Sequence, residues 1–271
     1  MTNSSRRVYD SILGLLPSVD NPTPLVRLNR VTPFEHTEVY AKLEWYNPFG
    51  SVKDRVAYNM MRDAEDRAVI KGAGQDLVEA TSGNTGLGLA MLAILKGHSL
   101  TTPLSDQIPL EKRIMLRLFG ADVLELSDDL CPAPGAPEGA IAKASQLAEE
   151  PNFHLLNQYT NEANPEAHYK TTGPEIWSQT DDTVTHLVAG LGTCGTINGT
   201  GSFLKENNSE IHIFGVHPEE GHDIPGVRSI RQLKQTQFFH PDEYDGLVEI
   251  DNRRAFGLCL RLTGKRALQQ G

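Results

Sequence analysis

The fold is decided by residues 77–97, which read LVEATSGNTGLGLAMLAILKG. The short apolar run at 77–80 predicts a buried strand, and the apolar stretch at 87–95, closed by Gly97, predicts a helix. A loop of glycines and hydroxyl side chains, 81–86, connects the two. A strand followed directly by a helix is typical of a parallel sheet, because the chain must cross over before the next strand can pair.

The same alternation of strand and helix extends to both sides of this stretch. In the first half the sequence predicts strands over 39–44, 100–104 and 123–126, helices over 52–72, 111–119 and 140–149, and a proline-rich loop over 132–138. In the second half it predicts strands over 154–158, 186–189 and 211–216, and helices over 172–179 and 197–205. We therefore expect an α/β protein made of two three-layer αβα domains with mostly parallel, twisted sheets.

Composition excludes several classes of protein. The 271 residues are 39% hydrophobic and 22% charged, as in an ordinary globular chain. A formal net charge of −10 argues against nucleic acid as a partner, because phosphate backbones require a basic surface. There is no apolar run of roughly 18 residues and no signal-peptide pattern, so we expect a cytoplasmic protein without a membrane partner. The cysteines, Cys131, Cys194 and Cys259, are widely spaced and predict neither disulfides nor a metal site.

The segment 47–55, NPFGSVKDR, places a lysine at the start of a helix. Ser51 is the expected N-cap residue, which puts Lys53 in the first helical turn. The positive end of the helix dipole, together with burial, would disfavour the charged form of the amine there, as Schiff-base chemistry requires. The alternative is a surface lysine that pairs with a neighbouring carboxylate.

The loop at 81–86, TSGNTG, contains two glycines, three hydroxyl groups and an amide in front of a helix. The backbone N–H groups of such a helix N-terminus bind anions. Because the loop has no cationic side chain and lacks the Gly-Lys-Ser ending of a P-loop, it favours a carboxylate over a triphosphate. The alternative is a capped turn without a ligand.

A third loop, 190–196 (GLGTCGT), also connects a predicted strand to a predicted helix. Its backbone amides would suit a phosphate group. The loop equally matches the dinucleotide pattern GxGxxG, with Glu219 and Glu220 after the next strand as candidate ribose ligands. The loop alone does not decide between the two interpretations.

Four segments, taken in order, resemble the cysteine synthases: 21–28 (NPTPLVRL), 47–55, 81–86 and 190–199 (GLGTCGTING). The likeness covers nearly the whole chain, and 216–221 with 224–228 look like the B-type branch. The chain is thereby identified as a member of the tryptophan synthase β-like enzymes, which are pyridoxal-phosphate enzymes of fold type II. The resemblance implies that pyridoxal 5′-phosphate lies in a cleft between the two domains.

The resemblance also implies residue roles. Lys53 would hold the cofactor as a Schiff base and later remove the substrate α-proton, and Asn84 would bind the phenolic oxygen of the cofactor. The implied phosphate ligands are Gly192, Thr193, Cys194, Gly195 and Thr196, which displaces the dinucleotide interpretation of that loop. The implied ligands of the substrate carboxylate are Thr81, Ser82, Gly83, Thr85 and Gln158. Cys194 stands where relatives more usually have glycine or threonine.

The implied reaction is β-replacement: O-acetylserine eliminates to an aminoacrylate, and sulfide adds to give L-cysteine. O-phosphoserine is the other possible donor, because Arg228 could bind its phosphate bidentately; alternatively, Arg228 serves a domain interface or faces solvent. Cystathionine β-synthase activity, serine/threonine dehydratase activity and a non-catalytic family member remain alternatives. The implied partners are small-molecule substrates, a second copy of the chain in a homodimer, and the C-terminal tail of serine acetyltransferase.

We expect the domain boundary between the two predicted sheets. Residues 39–152 would form a smaller N-terminal domain with the lysine and the carboxylate loop, and residues 1–38 with 153–271 a larger domain with the phosphate loop. The larger domain is expected to be C-terminally incomplete. The match ends at Gly271, before the serine-rich segment with which relatives contact the pyridine nitrogen, so no residue receives that role.

Overall fold

The computed structural model describes residues 8–29, 32, 34–70, 72, 74–127 and 138–263. In chain order the strands are β1 (Leu25–Arg27), β2 (Tyr40–Lys42), β3 (Asp76–Val78), β4 (Ser99–Ser105), β5 (Asp122–Leu126), β6 (Phe153–Leu155), β7 (His186–Gly190), β8 (His212–Pro218) and β9 (Gly246–Ile250). The helices are α1 (Lys53–Asp66), α2 (Asn84–Lys96), α3 (Leu110–Leu118), α4 (Glu138–Leu147), α5 (Ala163–Lys170), α6 (Thr172–Gln179), α7 (Gly195–Asn207) and α8 (Asn252–Thr263). None of these helices combines the length and apolar character that crossing a membrane requires.

The chain divides into two compact units, which it enters alternately. The first unit contains the described residues of Met1–Thr23 and Glu44–Leu156, and the second contains those of Pro24–Leu43 and Asn157–Gly271. The α/β class with mostly parallel sheets, predicted from the alternation of strand and helix, is confirmed.

The first unit is built on a sheet of four parallel strands in the order β5-β4-β3-β6. Helix α4 covers one face, where Ala140 and Ala144 pack against Val78. Leu77, whose side chain points to the opposite face, is also buried. Burial on both faces is typical of a parallel sheet, and it explains why neighbouring residues of β3, Leu77 and Val78, are both apolar.

The second unit contains a parallel sheet in the order β7-β8-β9 and a short antiparallel pair, β1 with β2. Helix α7 packs on one face of the parallel sheet, where Ile197 and Leu204 join Ile213 in a buried cluster. On the opposite face, Val188 and Val248 are 63% and 50% exposed.

The sequence did not predict β1, α5, β9 and α8, and most of the predicted proline-rich loop lies outside the described residues. Pro165 lies within α5, although a proline in the sequence usually indicates the end of a helix. It is tolerated because it is the third residue of the helix, where a backbone N–H has no intrahelical partner.

The predicted domain boundaries, after 38 and after 152, do not coincide with those of the two units. Strand β6 pairs with β3, so the first unit continues to Leu156. Strand β2 belongs to the second unit, where Lys42 Nζ lies 2.6 Å from an oxygen of the fully buried Glu175 carboxylate. Both differences arise from contacts between residues that are distant in sequence.

A buried ion pair ties the start of the chain into the first unit. Arg55 Nε and Nη2 donate to the two carboxylate oxygens of Glu44 at 2.8 and 2.9 Å, and the Thr23 hydroxyl donates to Glu44 at 2.7 Å. Burial alone would raise the pKa of Glu44. The hydrogen bonds and charge of Arg55, with help from Thr23 and Asn47, outweigh burial and hold that pKa at about 2.

We expect Glu44→Gln to destabilise the protein at neutral pH by roughly 3 kcal/mol, the value that corresponds to the lowered pKa of Glu44. Because the folded-state pKa is depressed, this stabilisation is complete above the unfolded value of 4.5 and is lost as the pH falls toward 2. Urea unfolding of the wild type and of Glu44→Gln should be measured between pH 7 and pH 3. The difference between their free energies of unfolding should become smaller as the pH falls.

Asp66→Asn is the matched control, because Asp66 pairs with Arg62 on the exposed surface of α1. Its effect should stay within about 0.5 kcal/mol at every pH. A pH-independent loss in Glu44→Gln would contradict the electrostatic explanation.

Candidate functional site

Lys53 is the first residue of α1. The structure places Val52, rather than the predicted Ser51, at the N-cap position. The Ser51 hydroxyl still stabilises the turn, since its Oγ accepts the Lys53 backbone N–H at 3.2 Å and the Ser51 carbonyl accepts the Asp54 N–H at 3.2 Å. The lysine therefore starts the helix as expected, on a turn fixed by hydrogen bonds.

The carboxyl group of Asp54 shapes the same turn from within the fold. It accepts the Phe49 backbone N–H at 2.6 Å and the Ser51 hydroxyl at 3.3 Å, and it is fully buried. Burial raises the pKa of Asp54 to about 6, although these hydrogen bonds oppose the shift. The residue next to Lys53 is thus a buried acid that orders residues 49–51.

The TSGNTG loop (residues 81–86) connects β3 to α2, and Asn84 is the first residue of that helix. Thr81 Oγ1 accepts the backbone N–H of Gly86 at 3.2 Å and that of Gly83 at 3.4 Å, which closes the loop into a compact turn. A Cβ on Gly86 would lie 2.8 Å from side-chain atoms of Leu116 and Thr81, so only glycine fits. The Thr81 hydroxyl thus accepts one N–H group from the first turn of α2, a turn whose N–H groups have no acceptor within the helix itself.

The start of α1 and the start of α2 lie against each other in the first unit. A Cβ on Gly88, one turn into α2, would lie 3.1 Å from Ala57 Cβ and 3.6 Å from the Asp54 Cα. The structure therefore places Lys53 and Asn84 at the amino ends of two packed helices.

The glycine loop (residues 190–196) connects β7 to α7 in the second unit. A Cβ on Gly192 would lie 2.7 Å from the Gly226 carbonyl oxygen, and one on Gly195 would lie 1.9 Å from Asn164 Oδ1. Cys194 adopts the left-handed conformation with φ of 66°, and its side chain is buried in the cluster around Ile197. The Cys194 side chain thus belongs to the core, and the backbone amides are the groups that the loop offers to a ligand.

Two polar side chains of α5 hydrogen-bond to the glycine loop. They were not identified from the sequence as candidate functional residues. Asn164 Nδ2 donates to the Gln158 carbonyl oxygen at 2.7 Å and to Thr193 Oγ1 at 3.0 Å. His168 Nε2 lies 3.2 Å from Thr196 Oγ1. The spacing of Asn164 and His168 by four residues was the available signal, because it puts both on one face of a helix.

The first turn of α7 is also tied to the segment that precedes β9. Asn198 Nδ2 donates to the Phe238 carbonyl oxygen at 2.6 Å, and the Tyr244 hydroxyl donates to Asn198 Oδ1 at 2.8 Å. Burial, and secondarily the neighbouring Cys194, raises the pKa of Tyr244, so this phenol stays protonated and acts as a donor.

Arg228 lies beside the glycine loop in the second unit. Its backbone N–H donates to the Leu191 carbonyl oxygen at 2.7 Å, and its Nη2 donates to the Tyr159 hydroxyl at 2.5 Å. The guanidinium carbon lies 5.2 Å from the centroid of the Tyr159 ring, at cation–π distance. Arg228 therefore has a defined contact within its own unit.

The predicted site residues form two groups. The first unit holds Lys53, Thr81, Ser82, Gly83, Asn84 and Thr85, and the second holds Gln158, Gly192, Thr193, Cys194, Gly195, Thr196 and Arg228. The acids of the dinucleotide interpretation have other contacts: Glu219 accepts the Asn252 backbone N–H and Glu220 that of Arg231, both at 3.2 Å. The first group contains an amine and hydroxyl groups, and the second contains the glycine loop at the start of α7.

We expect Gly195→Ala to destabilise the protein by about 3 kcal/mol, because the new Cβ collides with Asn164. Gly257→Ala in α8 is the matched control: a Cβ there meets nothing within 4 Å, and alanine favours a helix by roughly 0.5–1 kcal/mol. Thermal unfolding of the three proteins checks this. An unchanged melting temperature in Gly195→Ala would show that the contact with Asn164 yields easily.

Comparisons with known proteins agree on one family. Residues 17–266 match the model of the family described as pyridoxal-phosphate dependent enzyme. The chain is 46% identical to cysteine synthase B of Salmonella typhimurium and 42% identical to that of Escherichia coli, in each case over 86% of this chain and 75% of the relative.

A crystal structure of O-ureido-L-serine synthase is similar to this chain with a TM-score of 0.85 at 32% identity, covering 96% of this chain and 81% of the other. The family prediction made from NPFGSVKDR, TSGNTG and the glycine loop is thereby confirmed, and with it pyridoxal 5′-phosphate as the cofactor. The chain belongs to the pyridoxal-phosphate dependent enzymes.

Proposed function

We propose that this enzyme is a cysteine synthase that replaces the β-substituent of an activated serine with sulfide, with O-acetylserine as the donor. The observation that carries the proposal is the pairing of Lys53 with the TSGNTG loop at the amino ends of two packed helices. The similarity to cysteine synthase B of two bacteria supports cysteine synthesis over the alternative activities.

The residues of the second unit fit the phosphate of the cofactor. Gly192 and Gly195 allow the loop to pack directly on Gly226 and Asn164, which leaves its backbone amides at the start of a 13-residue helix. Thr193 and Thr196 add hydroxyl groups, and Asn164 and His168 contact them from behind. A dianion at this position would meet donors and the positive end of the helix dipole.

When bound, pyridoxal 5′-phosphate delocalises the negative charge that develops on the substrate α-carbon. In this proposal Lys53 Nζ would hold the cofactor at its carbonyl carbon and, once displaced there by the substrate amine, would be the base for the α-proton. Asn84 donates to the phenolic oxygen of the cofactor. The substrate carboxylate is bound by Thr81, Ser82, Gly83 and Thr85, where the N–H groups of the first turn of α2 help.

Gln158 is proposed as a further ligand of the substrate carboxylate. Its side chain is 4% exposed, and its backbone carbonyl is fixed by Asn164, so its position depends on the same residue that holds Thr193. A homodimer and binding of a serine acetyltransferase tail stay predictions from the resemblance, and a cytoplasmic location stays a prediction from the sequence pattern.

The choice of donor depends on Arg228. The bond to Tyr159 engages one of its five N–H donors and gives the side chain a structural partner, which supports O-acetylserine as the first candidate. O-phosphoserine is the second candidate, because a guanidinium in this position beside the glycine loop suits a phosphate.

We expect the purified enzyme to show a visible absorption band with pyridoxal 5′-phosphate that shifts when O-acetylserine is added. Lys53→Ala should lose the band, because no other residue is proposed to bond the cofactor. The control is Lys112→Ala, which changes an exposed lysine of α3 and should leave the spectrum as it is. A protein that stays colourless with added cofactor would contradict the proposal.

The donor is decided by the kcat/KM values for the two serine derivatives. We expect a higher value for O-acetylserine, and we expect Arg228→Ala to lower the value for O-phosphoserine about tenfold more than that for O-acetylserine. Arg231→Ala, at an exposed position nearby, controls for the loss of a positive charge. A wild-type preference for O-phosphoserine would replace O-acetylserine in the proposal.

A further inference from the structure

We propose that His168 is a positioning residue for the cofactor phosphate: its Nε2–H donates to Thr196 Oγ1 and so directs the Thr196 hydroxyl proton toward the anion. The inference rests on the proposed role of the glycine loop as the phosphate site. It adds a residue of α5 that does not touch the ligand and acts through Thr196.

The geometry places the imidazole between two hydroxyl groups. His168 is fully buried, its Nδ1 lies 2.9 Å from Thr172 Oγ1, and its Nε2 lies 3.2 Å from Thr196 Oγ1. Thr196 is the second residue of α7, in the turn whose backbone N–H groups have no partner within the helix. The imidazole thus links the start of α6 to the start of α7.

Close packing of α5 on α7 holds the ring in this position. A Cβ on Gly199 would lie 1.9 Å from the Pro165 carbonyl oxygen and 2.9 Å from His168 Cβ, so the helices touch through glycine. With the two backbones this close, a side chain of α5 reaches a hydroxyl in the first turn of α7 directly.

The tautomer of His168 decides what Thr196 can do. A neutral imidazole carries one N–H and one lone pair. With the proton on Nδ1, Nε2 accepts a hydrogen bond from the Thr196 hydroxyl. The Thr196 hydroxyl then has no proton left to donate to a ligand. With the proton on Nε2, Nδ1 accepts from the Thr172 hydroxyl, and Thr196 receives a hydrogen bond while its own proton points elsewhere. A phosphate accepts hydrogen bonds only, so it selects the second arrangement.

Asn164, also on α5, donates to a threonine hydroxyl in the same direction as is proposed for His168. Asn164, one turn before His168, uses Nδ2, which can only donate, toward Thr193 Oγ1 at 3.0 Å. Both residues are fully buried polar side chains on one helix, and the Asn164 amide nitrogen and both ring nitrogens of His168 have partners there. Helix α5 thus presents donors to hydroxyl groups at both sides of the glycine loop.

The test is a double-mutant cycle on cofactor affinity, measured by titrating cofactor-free protein with pyridoxal 5′-phosphate and, separately, with pyridoxal, which lacks the phosphate. His168→Leu should weaken pyridoxal 5′-phosphate binding about tenfold and leave pyridoxal binding unchanged. Thr196→Val should do the same, and the double variant should bind no more weakly than Thr196→Val alone, because His168 acts through that hydroxyl.

Two milder variants keep the test decisive if His168→Leu fails to fold. His168→Gln supplies an amide donor in place of Nε2–H and should recover affinity. Thr172→Val removes the hydroxyl that fixes the tautomer and should weaken pyridoxal 5′-phosphate binding severalfold, with a smaller or no effect in the Thr196→Val background.

Additive losses in the cycle, or equal losses for pyridoxal, would overturn the role of His168. A wild-type protein that binds pyridoxal as tightly as its phosphate ester would instead overturn the phosphate site itself. The two failures are therefore distinguishable.

Discussion

Each helix that follows a parallel strand begins with N–H groups that the helix itself cannot pair. In the turn at 81–86 the Thr81 hydroxyl accepts one of these groups, the Gly86 N–H, and in the turn at 190–196 glycines let the backbone pack directly on Asn164 and Gly226. The sharp turn of the backbone between β3 and α2, and between β7 and α7, thus sets where the two helices begin. The chemistry of the side chains is added to positions that the backbone already provides.

Buried ion pairs fix the path of the chain between its two units. The chain leaves the first unit after Thr23 and returns at Glu44, and both residues belong to the pair with Arg55. The segment in between is anchored in the second unit by Lys42, through Glu175. Because breaking one partner of a buried pair leaves an uncompensated charge, such pairs disfavour alternative positions of the segment.

The local signals in the sequence were sufficient for the central elements and for the loops that connect β3 to α2 and β7 to α7. Helix α2 is apolar along its length, it starts within TSGNTG, and Gly97 ends it. The apolar pattern and the end signals therefore predict the same helix. The positions of Lys53 and of the glycine loop at helix starts were predicted from the same signals, the glycine and hydroxyl residues that precede a helix. Helix α5 escaped prediction because its inward face is polar, with Asn164 and His168, and therefore carries no hydrophobic period. The unit boundaries escaped prediction because β6 and Lys42 are placed by partners far away in the sequence.

The tie between α7 and the segment before β9 has a thermodynamic consequence. Asn198 receives the Tyr244 hydroxyl and donates to the Phe238 carbonyl oxygen, so opening residues 238–244 breaks hydrogen bonds to the first turn of α7. A ligand that binds only the closed arrangement of that turn makes such openings rarer. Amide hydrogen exchange in residues 238–244 thereby becomes linked to the occupancy of a loop that precedes them by about forty residues in the sequence.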